Sequence, residues 1–156
     1  MKTSLLQPAG PVRDWVKTPD NELVLIDELN HRVLVQSMDG KLRVAAKDFR
    51  YPRSVALLDL QAYVVDSWNH RVRAFELPDW NPAFEFGSFF CPSWISVINS
   101  SLVVADTNNR RLSFHEPNGA VLFTYALDGY PKRVGANSNG NIVIDYDNGE
   151  TETLTF

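Results

Sequence analysis

One short pattern recurs along the 156-residue chain at nearly constant spacing. The segments IDELNHRV, VDSWNHRV and ADTNNRRL each have an Asp, an Asn three residues later and an Arg five residues later, and a diverged fourth copy reads IDYDNGET. The repeated aspartates are Asp27, Asp66, Asp106 and Asp145, at intervals of 39, 40 and 39 residues. Such periods are typical of folds built from repeated supersecondary units. Because four copies account for the chain, we predict one domain over residues 1–156.

Each copy has the pattern of a small antiparallel sheet. A run rich in Val and Ile leads to every repeated Asp, and these runs are ELVLID, AYVVD, SLVVAD and NIVID. Continuous apolar runs are typical of strands that are buried on both faces. Asp39-Gly40, Asn118-Gly119 and Asn139-Gly140 predict hairpin turns, and we find no capped segment with helical periodicity. The chain is therefore predicted to be all-β, a β-propeller with four four-stranded blades.

A proline stands fourteen residues before each of the last three aspartates, at Pro52, Pro92 and Pro131, and Val or Ile follows it three residues later. This order of proline, apolar strand, Asp and Asn-His-Arg resembles the NHL repeat. The resemblance covers all four copies, is closest in the first two, has Asn109-Arg110-Arg111 in the third, and is weak in the fourth. It implies propeller blades, usually more than four to a ring, so the closure of this ring needs its own explanation.

The last repeat ends where its outer strand should begin. Val44, Phe84 and Phe123 lie eight residues before the proline position of the next repeat, on the expected outer strands, and Leu5 lies eight residues before Arg13. We therefore predict that residues 2–8 form an outer strand that completes the last blade and protects its edge. Closure within one chain gives a four-bladed ring. Exchange between two chains gives an eight-bladed homodimer, whose smaller angle between blades is closer to what the resemblance implies.

The Asp-Asn-His-Arg cluster has a functional and a structural interpretation. In the functional interpretation, His31 and His70 are metal ligands or proton shuttles, with Asp27 and Asp66 as partners. However, the clusters recur once per blade around the ring, so their side chains do not converge on one ion. In the structural interpretation, Asp accepts turn amides, Asn adopts the left-handed conformation of a tight turn, and Arg binds the carboxylate. We favour this second interpretation. Its signature residues are Asp27, Arg32, Asp66, Arg71, Asp106 and Arg111.

Function in repeat folds lies where the copies differ, on loops of one face. In a propeller, the loop that enters the inner strand and the loop between the second and third strands share a face. The variable residues of these loops include Trp and Arg, which are enriched at binding hot spots. The predicted residues for binding a ligand or partner are Trp15, Arg53, Trp68, Trp94, Asn108, Lys132 and Arg133. For Trp15 and Trp94, an alternative is that they plug the channel mouth.

Three classes of function stay open. The favoured class is a non-catalytic binding or scaffold module for a protein, peptide or small ligand. The second, allowed by the resemblance, is a metal-dependent lyase or hydrolase at the channel mouth, where Asp14, Asn108 and Asp147 are the polar candidates. The third is binding of single-stranded RNA, which some propellers of this kind perform on a basic face. A net charge of −4 disfavours nucleic acid.

No catalytic residue, metal site or cofactor is predicted. The single cysteine, Cys91, excludes an intramolecular disulfide. No run approaches the roughly 20 apolar residues of a membrane span, and no signal peptide is recognisable, so a cytoplasmic protein is expected. The Trp and Arg residues of the loop face predict a protein or peptide partner. Trp80 is predicted to cover the outer edge of its blade, and His115 to lie on the surface.

Overall fold

The computed structural model describes residues 6–8 and 10–155, which form fifteen strands in four antiparallel sheets. Blade 1 contains β1 (Trp15–Lys17), β2 (Leu23–Asp27), β3 (Arg32–Gln36) and β4 (Leu42–Ala46). Blade 2 contains β5 (Pro52–Leu58), β6 (Gln61–Asp66), β7 (Arg71–Glu76) and β8 (Asn81–Phe86). Blade 3 contains β9 (Trp94–Ile98), β10 (Ser101–Asp106), β11 (Arg111–His115) and β12 (Val121–Ala126). Blade 4 contains β13 (Pro131–Ala136), β14 (Ile142–Tyr146) and β15 (Thr151–Leu154).

The four sheets are the blades of a four-bladed β-propeller, as the repeat period predicted. Within each blade the strands pair in chain order, and the first strand of every blade borders one central channel. Most residues of the second strands are buried, five of six in both β6 and β10 and three of five in both β2 and β14. Where a blade packs against a neighbour on each side, as blades 2 and 3 do, both faces of its central strands exclude water, and this explains the continuous apolar runs.

Three buried apolar clusters join successive blades. Val24, Ile26 and Phe75 belong to the cluster between blades 1 and 2, and Tyr63 and Ile95 to the cluster between blades 2 and 3. Leu112, Phe114 and Ile144 belong to the cluster between blades 3 and 4. Among the described residues, no such cluster joins blade 4 to blade 1, and a cavity of about 300 Å³ lies at that joint.

The Asp-Gly and Asn-Gly pairs lie in hairpin turns, as predicted. Gly40, Gly119 and Gly140 have φ values of +88°, +90° and +80°, a region that favours glycine. Each glycine N–H donates to the carbonyl oxygen three residues earlier. The turns are therefore longer than the two-residue hairpins that such pairs most often form.

The predicted N-terminal strand lies mostly outside the described residues, because 1–5 are not described and 6–8 carry no strand assignment. The Gln7 carbonyl accepts a bond from Arg32 (2.8 Å), and the Ser88 carbonyl accepts one from Arg111 (3.0 Å). Arg32 and Arg111 are equivalent residues of blades 1 and 3, and Ser88 follows β8, the outer strand of blade 2. Gln7 therefore occupies, before blade 1, the position that Ser88 occupies before blade 3. Completion of blade 4 by residues 2–8, and strand exchange between two chains, stay predictions that light scattering and a crystal structure would test.

Two predictions about single residues are wrong. Trp80 lies in the apolar core between blades 1 and 2 instead of on the outer edge of its blade. His115 is 1% exposed instead of lying on the surface, with Nδ1 2.9 Å from the Gly119 carbonyl oxygen and Nε2 2.7 Å from Ser113 Oγ. The carbonyl can only accept, so Nδ1 carries the proton and Nε2 accepts from the Ser113 hydroxyl in the neutral ring.

Burial of His115 makes the stability of the fold depend on pH. Burial lowers the pKa of His115 below its usual value of 6.5, so the unfolded chain binds a proton more readily than the folded chain. The free energy of unfolding should therefore fall as pH drops below about 6.5, by at most about 1.4 kcal/mol per pH unit for this one proton. Urea unfolding of wild-type and His115→Gln proteins between pH 7.5 and 5 measures this. Equal pH slopes for the two proteins would contradict the assignment.

Candidate functional site

The repeated Asp accepts a cluster of hydrogen bonds in each of the first three blades. The buried Asp66 carboxylate accepts bonds from the Arg50 N–H (2.8 Å), Asn69 Nδ2 (3.0 Å) and Arg71 Nε (2.8 Å). Asp106 accepts the same three kinds of bond, and Arg32 Nε lies 2.7 Å from Asp27. Each Asp–Arg pair lies within one blade. The carboxylate thus fixes the turn after its own strand and, in blades 2 and 3, the connection that enters its blade.

The residue after the Asn joins each blade to the next one. His31 Nδ1 accepts a bond from the Tyr51 N–H, and His70 Nδ1 accepts one from the Cys91 N–H, both at 3.0 Å. In the third copy, the Arg110 guanidinium lies over the Tyr130 ring. These residues, with φ of 54°, 56° and 49°, adopt the left-handed conformation. Our assignment of that conformation to the preceding Asn is therefore wrong.

The described residues contain no group of three or more His, Cys, Asp or Glu side chains placed to hold one metal ion. They also contain no helix with the length and apolarity that a bilayer-spanning segment requires.

Side chains on the inner strands, or directly before them, connect consecutive blades around the channel. Asp14 accepts bonds from Ser54 Oγ and the Val55 N–H, both at 3.0 Å. Ser54 Oγ in turn accepts a bond from the Ile95 N–H (3.1 Å). Ser96 Oγ donates to the Val134 carbonyl oxygen (2.5 Å). Small hydroxyl side chains at these positions therefore satisfy inner-strand polar groups while leaving the channel open.

The inner strands border a central cavity of about 430 Å³. Its lining includes the Asp14 carboxylate, the Trp94 ring, Ser96 and the aliphatic side chains of β5 and β9. Burial raises the pKa of Asp14, although hydrogen bonds from Val55, Ser54 and Trp15 and the charge of Arg133 act in the opposite direction. Asp14 is thus a carboxyl group in a partly enclosed apolar setting, which makes it a candidate for proton transfer.

A second cavity, of about 300 Å³, lies at the joint between blades 4 and 1, and we call it the mouth cavity. Its lining residues are Pro11, Val12, Arg13, Glu28, Leu29, Lys132 and Arg133. Glu28 Oε2 lies 3.4 Å from Arg13 Nε and 4.0 Å from Arg53 Nε. The Arg133 guanidinium lies over the Trp94 ring, 5.2 Å from its centroid, and so connects the mouth cavity with the central one.

The structure brings together three of the seven predicted binding residues. Trp94 lines the central cavity, and Lys132 and Arg133 line the mouth cavity. The other four line neither cavity, and these are Trp15, Arg53, Trp68 and Asn108.

Each of these four residues has a distinct setting. Trp15 is 59% exposed on β1, and Arg53 forms an ion pair with Glu28. Trp68 packs its ring on Tyr51, with ring centroids 4.7 Å apart, and the Trp68 backbone N–H donates to the Arg50 carbonyl oxygen. Asn108 makes the equivalent backbone bond to Phe90. Trp68 and Asn108 are therefore turn residues that contact the connection entering their blade.

Arg13 and Glu28 also line the mouth cavity, and neither was predicted from the sequence to bind a ligand. Glu28 directly follows the repeated Asp, at a position where the second and third copies have Ser67 and Thr107. The signal in the sequence was the charge of Glu28 at a position where the other two copies have small hydroxyl residues. Asp14 was named only as a candidate for the enzymatic alternative.

A family model of the NHL repeat matches residues 49–75, which span the second copy of the pattern. This match agrees with the copy in which the Pro, Asp and Asn-His-Arg elements are all present. The chain is therefore a β-propeller that carries an NHL repeat. No curated protein sequence matches the chain.

Solved propeller structures resemble the whole chain in fold. Hydrazine synthase from Kuenenia stuttgartiensis matches 99% of this chain with a TM-score of 0.75 and 17% identity, over 51% of its own length. Virginiamycin B lyase from Staphylococcus aureus matches 98% of this chain with a TM-score of 0.75 and 14% identity, over 58% of its length. The WD40 β-propeller domain of Doa1 matches 94% with a TM-score of 0.78 and 14% identity, over 51% of its length. The chain thus spans about half the length of these structures and shares their fold.

Proposed function

We propose that the chain is a non-catalytic binding module whose mouth cavity holds an anionic group of a protein, peptide or small ligand. The observation that carries this proposal is the gathering of Arg13, Lys132 and Arg133 around one cavity, in a chain whose net charge is −4. A local excess of positive charge in a concave site favours carboxylate or phosphate ligands.

The charge balance within the mouth cavity supports an anionic ligand. Glu28 is the acidic residue in the lining, and its carboxylate lies between Arg13 and Arg53. None of the ion pairs among the described residues includes Lys132 or Arg133. These two side chains are therefore available for a ligand, and the Trp94 ring beneath Arg133 offers an apolar surface beside the charge.

The size of the two cavities also suits a ligand. Binding sites for small molecules usually occupy roughly 300–1,000 Å³, and the mouth and central cavities measure about 300 and 430 Å³. A peptide or metabolite with an acidic group at the mouth could place an apolar part against Trp94. The propeller neighbours include WD40 domains as well as enzymes, so fold alone does not choose between binding and catalysis.

Replacing Lys132 or Arg133 with Ala should weaken binding of an acidic peptide by about tenfold, because each change removes one charge-assisted contact. The probe is acetyl-Glu-Phe-Glu-amide, followed by amide and Trp indole NMR shifts, with acetyl-Gln-Phe-Gln-amide as the neutral match. Lys41→Ala is the control, since Lys41 is exposed and lies in a hairpin turn away from both cavities.

Three results would contradict the proposal. The first is equal affinity for the acidic and the neutral peptide. The second is unchanged affinity for the acidic peptide in both Lys132→Ala and Arg133→Ala. The third is that oligouridine RNA, but not the acidic peptide, shifts the NMR signals of residues at the mouth cavity. The last result would replace the proposal with binding of single-stranded RNA.

Asp14 favours an enzyme as the second candidate. A carboxyl group with a raised pKa in a cavity of about 430 Å³ has the properties of a general acid or base. The metal-dependent lyase or hydrolase requires a bound ion as well. Stoichiometric calcium or zinc in the purified protein, lost in Asp14→Asn, would favour this candidate over the binding module.

A further inference from the structure

A third cavity, of about 140 Å³, lies between blades 1 and 2 on the face opposite the channel mouth. It is formed by the turn between β1 and β2, the turn between β5 and β6, and the turn between β7 and β8, and we call it the turn-face pocket. Its apolar lining comes from Pro19, Leu60, Leu77, Pro78 and Trp80. Its acidic lining comes from Asp20, Glu22 and Asp59.

The repeats differ from one another at this pocket. Leu60 is 69% exposed at a turn where blade 3 has Ser100. At the next joint, the Tyr63 hydroxyl donates to the Pro117 carbonyl oxygen (2.7 Å) and so spans the space between blades 2 and 3. Blade 1 has the shorter Val24 in place of Tyr63. Two sequence differences thus leave an open, partly apolar pocket at one joint.

Trp80 has an unfavourable backbone conformation at the same place. Its φ is 60°, in the region that Gly40 and Gly119 occupy in the corresponding turns of blades 1 and 3. A bulky residue in that region costs roughly 1–2 kcal/mol. The indole ring is only 6% exposed and packs 5.5 Å from the Phe75 ring, which offsets this cost.

The size of the turn-face pocket indicates what can enter it. A volume of about 140 Å³ corresponds to roughly four or five water molecules. It is well below the roughly 300 Å³ at which sites for small-molecule ligands begin. The pocket therefore accommodates one side chain of a larger partner.

The charge of the turn-face pocket indicates the sign of that side chain. Glu22 pairs with Arg43 at 2.9 Å. Within the described part of the chain, no ion pair includes Asp20 or Asp59. Two unpaired carboxylates therefore flank an apolar floor. Lys and Arg combine an aliphatic stem with a cationic end, which complements such a site.

We propose that the turn-face pocket binds a single Arg or Lys side chain of a partner peptide, with the stem against Leu60 and Trp80 and the cation between Asp20 and Asp59. This site is distinct from the mouth cavity and takes a ligand of opposite charge.

Titration of the full chain with acetyl-Gly-Arg-Gly-amide and acetyl-Gly-Lys-Gly-amide tests the proposal by NMR. The citrulline and norleucine peptides are the matched neutral controls. The cationic peptides should shift the Trp80 indole and the Asp59 and Leu60 amide signals, with an affinity at least about tenfold above that of their neutral matches. Equal affinity for the neutral peptides would overturn the charge assignment. Shifts that avoid Trp80 and Leu60 would overturn the site.

Single substitutions test which residues of the turn-face pocket bind the cationic peptide. Asp20→Asn and Asp59→Asn should each weaken binding several-fold, and Asn tolerates the positive φ of Asp59. Leu60→Ser, which introduces the residue of blade 3, should weaken binding without unfolding the protein, because Leu60 is exposed. Asp128→Asn, an exposed carboxylate outside the pocket, and Lys41→Ala in the exposed turn of blade 1 should leave the affinity unchanged. Equal weakening by Asp128→Asn would show that only net charge matters, and would refute the pocket.

Discussion

Replacement of Asp66 with Ala is expected to lower the free energy of unfolding by about 3–5 kcal/mol. The carboxylate is fully buried and accepts bonds from the Arg50 N–H, Asn69 and Arg71. Its removal leaves these donors without their acceptor and frees the connection that enters blade 2. In a protein of this length, the loss corresponds to a fall in Tm of roughly 10 °C. Urea and thermal unfolding followed by circular dichroism measure both quantities.

The fourth repeat supplies a matched control for this prediction. Asp145 occupies the same repeat position but is only partly buried, and Glu150 stands where the other copies have Arg. In the part of the chain that the structure describes, Asp145 forms no ion pair. Asp145→Ala should therefore cost less than about 1 kcal/mol. Similar losses for the two variants would show that the hydrogen-bond cluster around Asp66 is not the source of the effect.

Replacement of Phe75 with Ala is expected to have a comparable effect, through packing instead of hydrogen bonding. The ring is 1% exposed and lies between Phe49 and Trp80, with centroids 6.1 and 5.5 Å away. Truncation leaves a cavity in the core that joins blades 1 and 2, at a cost of about 3–5 kcal/mol. Chemical unfolding monitored by tryptophan fluorescence measures the loss.

The same substitution at Phe90 is the control for Phe75. Phe90 is 52% exposed, and its backbone N–H, which donates to Asp106, is retained in Phe90→Ala. Its ring makes an edge-on contact with His70. A loss below about 1 kcal/mol is expected at Phe90. If both variants lose the same free energy, the packed joint between blades does not limit stability.

The fold could be predicted from the sequence because the repeat is encoded locally. The apolar runs before each Asp became β2, β6, β10 and β14, and the Gly-containing turns fell where they were expected. These features depend on neighbours within one blade. Period and strand pattern therefore sufficed to give the four blades of the chain and the strand order within each blade.

The site could be predicted only in part, because it depends on how the ring closes. Lys132 and Arg133 in blade 4 and Arg13 in blade 1 line one cavity although about 120 residues separate them in the sequence. His115 likewise looked like a surface residue, since its burial comes from Phe86 at the end of β8 and from Phe89 in the connection that follows. Contacts across a joint between blades have no local pattern in the sequence.

In the proposed function, the repeated residues stabilise the blades and their connections, and the variable residues of the mouth bind the ligand. Arg71→Ala and Arg133→Ala, measured together for Tm and for affinity toward acetyl-Glu-Phe-Glu-amide, test it most directly. Arg71→Ala should cost roughly 1–3 kcal/mol of stability, since it removes the bond from Arg71 Nε to Asp66, and should leave the peptide Kd unchanged. Arg133→Ala should leave Tm nearly unchanged and weaken the peptide about tenfold. Loss of binding in Arg71→Ala at unchanged Tm would contradict the claim.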